Sequence, residues 1–226
     1  MSATNRTADQ RLPDDVYETP AWCVDRLLDR LPVLMRGHAL EPCAGSGNII
    51  RAVNAHNARY AMSKMPKSSL KWDIVEKRPD CKPALSKLGS YWIDDFFTWH
   101  PVVSPALTVY NVAITNPPFS LAMPFLEKCL PIADWVVFLL RINFLGSEDR
   151  ADFWPSAMPD VYVIPNRPIF GANKKGKLGT DATEYAWFVW GPHSTTSNGR
   201  LEVLSSTPKE ERQAYLDTLR KKLKLV

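Results

Sequence analysis

The segment Asn116-Pro117-Pro118-Phe119 follows a short apolar run at 111–115. Two consecutive prolines donate no backbone hydrogen bonds and hold the chain extended, so their carbonyls serve as acceptors. The Asn side-chain oxygen is another acceptor, and Phe offers a flat stacking surface. Together they form a receptor for a planar –NH2 group on a ring. Upstream, Glu41-Pro42-Cys43-Ala44-Gly45-Ser46-Gly47 follows another apolar run. Its glycines permit a tight turn and a close backbone approach to a ligand, and a helix starting there presents N–H groups to an anion. No Lys-Ser/Thr pair follows the last glycine, so this is not an ATPase phosphate loop, and the full GxGxxG pattern is absent. A bare GxG fits a plain tight turn equally well. Glu76 closes a further run, where a carboxylate can accept both hydroxyls of a ribose. In Asp94-Asp95-Phe96-Phe97, an Asp can accept from a purine amine while a Phe covers the ring. A helix cap followed by core aromatics explains that segment as well.

These groups need elements to carry them. Apolar runs at 38–42, 71–76, 91–94, 111–115, 134–140, 161–164 and 184–190 read as strands. Helical patterns lie at 49–58, 124–130 and 208–226. Another starts at Thr19-Pro20, with Thr as cap and Pro at the first helical position. Alternation of this kind predicts an α/β fold with a mainly parallel sheet and helices on both faces. Ligands in such sheets bind beyond the carboxyl ends of the strands, where all four candidate groups fall.

Composition narrows the class. The chain has 226 residues, 45% of them hydrophobic and 23% charged, enough for a sizeable core. No apolar run is long enough for a membrane span. The formal charge of +4 permits an anionic partner without demanding one. Cys23, Cys43, Cys81 and Cys129 are widely spaced without paired histidines, so no metal site is expected. The polar start of the sequence carries no secretory signal, which predicts reduced thiols and a cytoplasmic location in a bacterial or phage-infected cell.

The series of motifs resembles the amino-methyltransferases that use S-adenosylmethionine. Asn116-Pro117-Pro118-Phe119 matches their tetrapeptide [D/N/S]PP[Y/F/W]. Residues 41–47 resemble their glycine motif DPxxGxG, with Glu41 replacing the leading acid. Tyr17-Glu18-Thr19-Pro20 resembles the N-terminal motif that touches the methionine end of the cofactor. Asn166-Arg167-Pro168-Ile169-Phe170 and Asp181-Ala182-Thr183-Glu184-Tyr185 are similar to runs in small phage and prophage adenine methyltransferases. The resemblance spans roughly residues 16–190 and implies a Rossmann-like class I fold of seven strands, the last antiparallel. It implies a cofactor site at Tyr17, Thr19, Pro20, Glu41, Pro42, Cys43, Ala44, Gly45 and Gly47, with Glu76 on the ribose. Asp95 and Phe96 would take the adenine. The catalytic set would be Asn116, Pro117, Pro118 and Phe119.

On that basis the expected activity is methyl transfer to the N6 amine of adenine in DNA, extruded from a duplex or presented single-stranded. Adenine is favoured over cytosine because the cytosine enzymes more often carry Ser first in the tetrapeptide. An RNA adenine or guanine methyltransferase, a protein glutamine methyltransferase and a non-catalytic cofactor-binding subunit remain alternatives. Phe170 or Tyr185 would cover the second face of the base, although Tyr185 also fits a core position. Lys174, Lys175 and Lys177, with Arg167, would contact phosphates, or form a solvated basic loop. The expected organisation is a flexible 1–15, a methyltransferase domain over 16–195 with substrate loops at 61–70 and 171–183, and a tail helix within 196–226. Loose or short sequence preference is expected, since little chain is left for a reading domain.

Overall fold

A computed structural model describes residues 18–31, 37–61, 70–101, 110–171, 178–179, 183–192 and 199–224, without the side chains of 60 and 61. Residues 1–15, Tyr17, Lys174, Lys175, Lys177 and most of the two expected substrate loops lie outside the described residues.

Among the described residues, eight strands form one sheet in the order β3-β2-β1-β4-β5-β7-β6-β8. They are β1 (His38–Glu41), β2 (Lys71–Glu76), β3 (Ser90–Ile93), β4 (Tyr110–Thr115), β5 (Ala133–Arg141), β6 (Asp160–Ile164), β7 (Tyr185–Trp190) and β8 (Leu201–Val203). β7 runs antiparallel to both neighbours, and the other pairings are parallel. Thus the seventh strand is antiparallel, as the resemblance implied. The eighth was not expected: β8 is three residues long, adds to the edge beside β6, and its two apolar side chains, Leu201 and Val203, are exposed.

The helices are α1 (Ala21–Arg30), α2 (Asn48–Ala61), α3 (Lys82–Leu85), α4 (Ala122–Cys129) and α5 (Lys209–Lys222). None among the described residues is long and apolar enough to cross a membrane. The strands explain themselves through their two buried faces. In β7, Tyr185, Trp187 and Val189 join the core that contains α1 and α2 residues, while Ala186, Phe188 and Trp190 join the core that contains α4 residues. β5 divides likewise, with Val137 and Leu139 on one side and Val136, Phe138 and Leu140 on the other. A strand buried on both faces has no polar face to show, so it reads as an unbroken apolar run. Trp187 fastens the sheet to α1 by donating its indole N–H to the Cys23 carbonyl at 2.9 Å.

One local expectation is corrected. Pro20, not Thr19, is the cap of α1, and no side chain caps that helix. The Thr19 hydroxyl serves another element instead.

Candidate active site

The carboxyl ends of β1, β2, β3 and β4 open onto a cleft of about 720 Å³. β1 delivers Glu41, and the turn over 42–47 leads into α2. Gly45 and Gly47 have φ of +55° and +83°, which L side chains rarely adopt. A Cβ on Gly47 would also come within 2.4 Å of Leu88 Cδ1.

Glu76, at the end of β2, clamps this turn. Its Oε2 accepts the Gly45 N–H at 2.6 Å, and its Oε1 accepts from the Arg78 N–H at 2.9 Å and Nε at 3.1 Å. Each carboxylate oxygen has two lone pairs, so Oε2 keeps capacity for a second donor from the cleft. Arg78 and Lys77 line the cleft beside it.

Glu41 is 1% exposed, and its Oε2 has no hydrogen-bond partner among the described residues. Burial pushes its carboxyl well above the usual range, the nearby Glu76 charge adds to this, and Arg51 and the Ile50 N–H offset it in part. A buried carboxyl oxygen without a donor is costly unless a ligand supplies one.

At the β3 end, Asp95 Oδ1 accepts the Phe97 N–H at 3.0 Å, and Oδ2 accepts from Lys77 Nζ at 3.1 Å. These contacts, the backbone N–H first, hold its carboxyl below the usual range. Phe96 stacks on Phe125 with centroids 5.2 Å apart and is 3% exposed. It therefore lines the cleft while serving as core. Phe97, which the sequence reading did not single out, is the more exposed ring on the same wall.

Asn116 follows β4, and its Nδ2 donates to Thr19 Oγ1 at 3.1 Å. The N-terminal motif and the tetrapeptide, 97 residues apart, thus meet at one hydrogen bond. Its other polar atom is a carbonyl oxygen, an acceptor. The Pro118 carbonyl accepts the Leu121 N–H at 2.8 Å as a short helical turn begins. That bond uses one of the two lone pairs of the Pro118 carbonyl.

Phe119 lies beyond, with the Arg141 guanidinium 4.9 Å from its ring centroid and the Tyr185 ring 5.8 Å away. Tyr185 packs in turn on Phe170 at 5.0 Å. Tyr185 and Phe170 are 1% and 6% exposed, so both are core residues of this aromatic cluster. Arg167 pairs with Glu184 on the surface.

Two cleft groups, Glu18 and Arg78, and Arg141 over the Phe119 ring were not singled out from the sequence. Glu18, which lines the mouth, accepts from Ser46 Oγ at 2.9 Å and Asn48 Nδ2 at 3.3 Å. Arg78 reads in sequence as an ordinary loop cation. Arg141 ends β5, where a strand-terminal charge is commonly just solvated; its position after an apolar strand was the one available hint.

No protein-family model matches the chain, and no curated protein matches it. Solved structures do. A candidate RNA methyltransferase from Pyrococcus horikoshii aligns over 77% of this chain and 86% of its own, at 16% identity and TM-score 0.54. A candidate class I S-adenosylmethionine-dependent methyltransferase from Listeria monocytogenes aligns over 96% of this chain and 73% of its own, at 13% identity and TM-score 0.55. The modification subunit of a candidate type I restriction enzyme from Vibrio vulnificus aligns over 93% of this chain and 53% of its own, at 13% identity and TM-score 0.55. At such identities the likeness is one of fold, and the fold is the Rossmann-like one of class I methyltransferases.

Proposed function

We propose that the protein transfers a methyl group from S-adenosylmethionine to an exocyclic amine of a nucleic-acid base, with N6 of adenine in DNA as the target. The observation that carries the reading is Asn116, anchored through Nδ2 to Thr19 in the lining of a cleft that also holds Glu41, whose Oε2 has no donor among the described residues.

The residues fit that cofactor. Glu41 and Glu18 suit its ammonium group, Glu76 Oε2 suits a ribose hydroxyl, and Asp95 with the Phe96–Phe97 wall suits its adenine. When bound, the cofactor supplies a methyl group on positively charged sulfur.

The chain's own part is to align the acceptor. An exocyclic ring amine is a poor nucleophile because its lone pair is delocalised into the ring. The Asn116 side-chain oxygen and the Pro117 carbonyl bind its two hydrogens and favour a pyramidal nitrogen. Bound S-adenosylmethionine would supply the methyl carbon to that nitrogen and keep the sulfur as leaving group, and the surplus amine proton would pass to solvent, so these residues would need no strong base. Alignment of two bound reactants supplies up to about 7–11 kcal/mol of the barrier reduction. Phe119 offers a ring on which the extruded base stacks, with the Arg141 guanidinium over that ring at 4.9 Å from its centroid. The buried Tyr185 and Phe170 support Phe119 from behind.

Incubation with tritiated cofactor and duplex DNA, single-stranded DNA, RNA or protein, followed by digestion, tests the reading. Label is expected in N6-methyladenine from DNA. Label only in RNA or in glutamine overturns the substrate, and no label in any acceptor overturns the activity. Matching structures described as acting on RNA make the RNA arm necessary.

A further inference from the structure

We infer that the carboxyl end of α5 is a working part of the cleft: Lys222 is a positioning residue that holds Glu18 and, through it, Thr19 and Asn116. The inference rests on the methyl-transfer reading above.

Taken by itself, the basic end of the last helix is explained by the helix dipole. Its placement is not. Lys222 Nζ donates to Glu18 Oε1 across 204 positions of sequence, and Glu18 lines the cleft. The same carboxylate accepts from Ser46 in the glycine turn and from Asn48 at the start of α2. The next residue, Thr19, accepts from Asn116. One carboxylate and one peptide unit therefore connect Lys222 to the amide at the reacting end of the cleft.

This connection matters because α1 has no side-chain cap to fix its entry. Residues 18–20 are held instead by the bonds of Glu18 and Thr19. α5, for its part, is seated firmly enough to present Lys222 in one place. Tyr215 donates its hydroxyl to the Ile169 carbonyl at 3.0 Å, Arg26 reaches Glu211 at 3.3 Å, and Leu219 is buried.

Burial alone would raise the Glu18 carboxyl. The hydrogen bonds from Lys222, Ser46 and Asn48 outweigh it and hold the group below the usual range, so it is charged at neutral pH. The Lys222 side chain is 51% exposed, and pairs that open to solvent contribute little to folding. Its loss should therefore be read in the site and not in stability.

The full-length protein tests this with Lys222→Met, Lys222→Arg and, as a control for net charge, Lys221→Met on the exposed neighbour. Cofactor Kd is read by calorimetry with S-adenosylmethionine, kcat and acceptor KM with an adenine oligonucleotide, and Tm by thermal melting. Lys222→Met is expected to raise cofactor Kd roughly fivefold, the loss of one charge-assisted bond partly compensated by its neighbours. It should lower kcat, with acceptor KM and Tm unchanged. Lys222→Arg should restore most of both, and Lys221→Met should match wild type. If Lys222→Met binds and turns over like wild type, or Lys221→Met shows the same loss, the positioning role is overturned alone. If wild type binds no cofactor, both this role and the methyl-transfer reading are overturned.

Discussion

Asn116 and Glu41 make opposite demands on the same cleft, and the difference is measurable. In the proposed reaction Asn116 holds the acceptor amine, so Asn116→Ala would remove an interaction with the reacting nitrogen and leave the cofactor's seat in place. We expect kcat to fall by about 10²-fold or more, the scale on which loss of one oriented polar contact at a reaction centre is felt. Cofactor affinity should stay near wild type, and retained activity would exclude the tetrapeptide from the chemistry. Glu41 sits deeper, with its carboxyl raised by burial and by Glu76. A folded-state value above the unfolded one means that folding favours the protonated form. Stability is then fully present below the unfolded value and is lost as pH rises through the raised one. Glu41→Gln removes that penalty. Its Tm without cofactor should exceed wild type by a few degrees at pH 8, with the gap closing at pH 4, while cofactor affinity falls. A gap that widens on acidification would contradict the assignment. Among these residues, Asn116, Glu41, Glu76 and Asp95 were legible because each ends or follows a strand of the sheet. Glu18, though inside the quoted N-terminal motif, was not singled out; Arg78 was missed because tertiary packing brings it to the cleft, and Arg141 because only the fold sets it over Phe119.

Elements, more than single groups, decide whether the glycine turn keeps its shape. The turn holds because Gly45 and Gly47 adopt positive φ and because Glu76 pins the Gly45 N–H from the next strand. Gly47→Ala meets both a disfavoured backbone conformation and the Leu88 side chain. It should cost about 1–3 kcal/mol, visible as a lower urea midpoint at unchanged slope. Glu76→Ala leaves the half-buried Gly45 and Arg78 donors without their acceptor, at about 1–3 kcal/mol, and should weaken cofactor binding in addition. Unchanged affinity in a folded Glu76→Ala protein would restrict Glu76 to structure. The strands were readable for a related reason: double-sided burial makes 134–140 and 184–190 continuous apolar runs. β8 carried no such signal, because Leu201 and Val203 stay exposed and Glu202 is held by Arg30 at 2.7 Å. The cap at Thr19 failed for a tertiary reason, since Asn116 occupies its hydroxyl.

Across the whole molecule, the question is where an excess of four positive charges can meet a phosphate backbone. Many described cations already face carboxylates: Arg26 with Glu211, Arg30 with Glu202, Arg59 with Asp25, Arg167 with Glu184 and Arg220 with Asp217. Arg167, expected from the sequence to contact phosphate, is one of these, so its charge is partly spent within the protein. Lys174, Lys175 and Lys177, which lie outside the described residues, are the other phosphate contacts expected from the sequence. Each phosphate neutralised contributes about 0.9 to the slope of log K against log salt for duplex DNA. Replacing all three lysines with Gln should therefore lower the slope by up to about 3 and weaken DNA binding at 50 mM salt most. Cofactor affinity is expected not to move, because the sequence expectation assigns those lysines to phosphate contacts and not to the cofactor. Arg167→Gln should change the slope by less than one such replacement, because Glu184 competes with phosphate for the guanidinium. Titrations of a labelled duplex at several salt concentrations decide between the two. A slope that falls with Arg167→Gln but not with the lysine substitutions would move the phosphate track from the 171–183 loop to the base of β7.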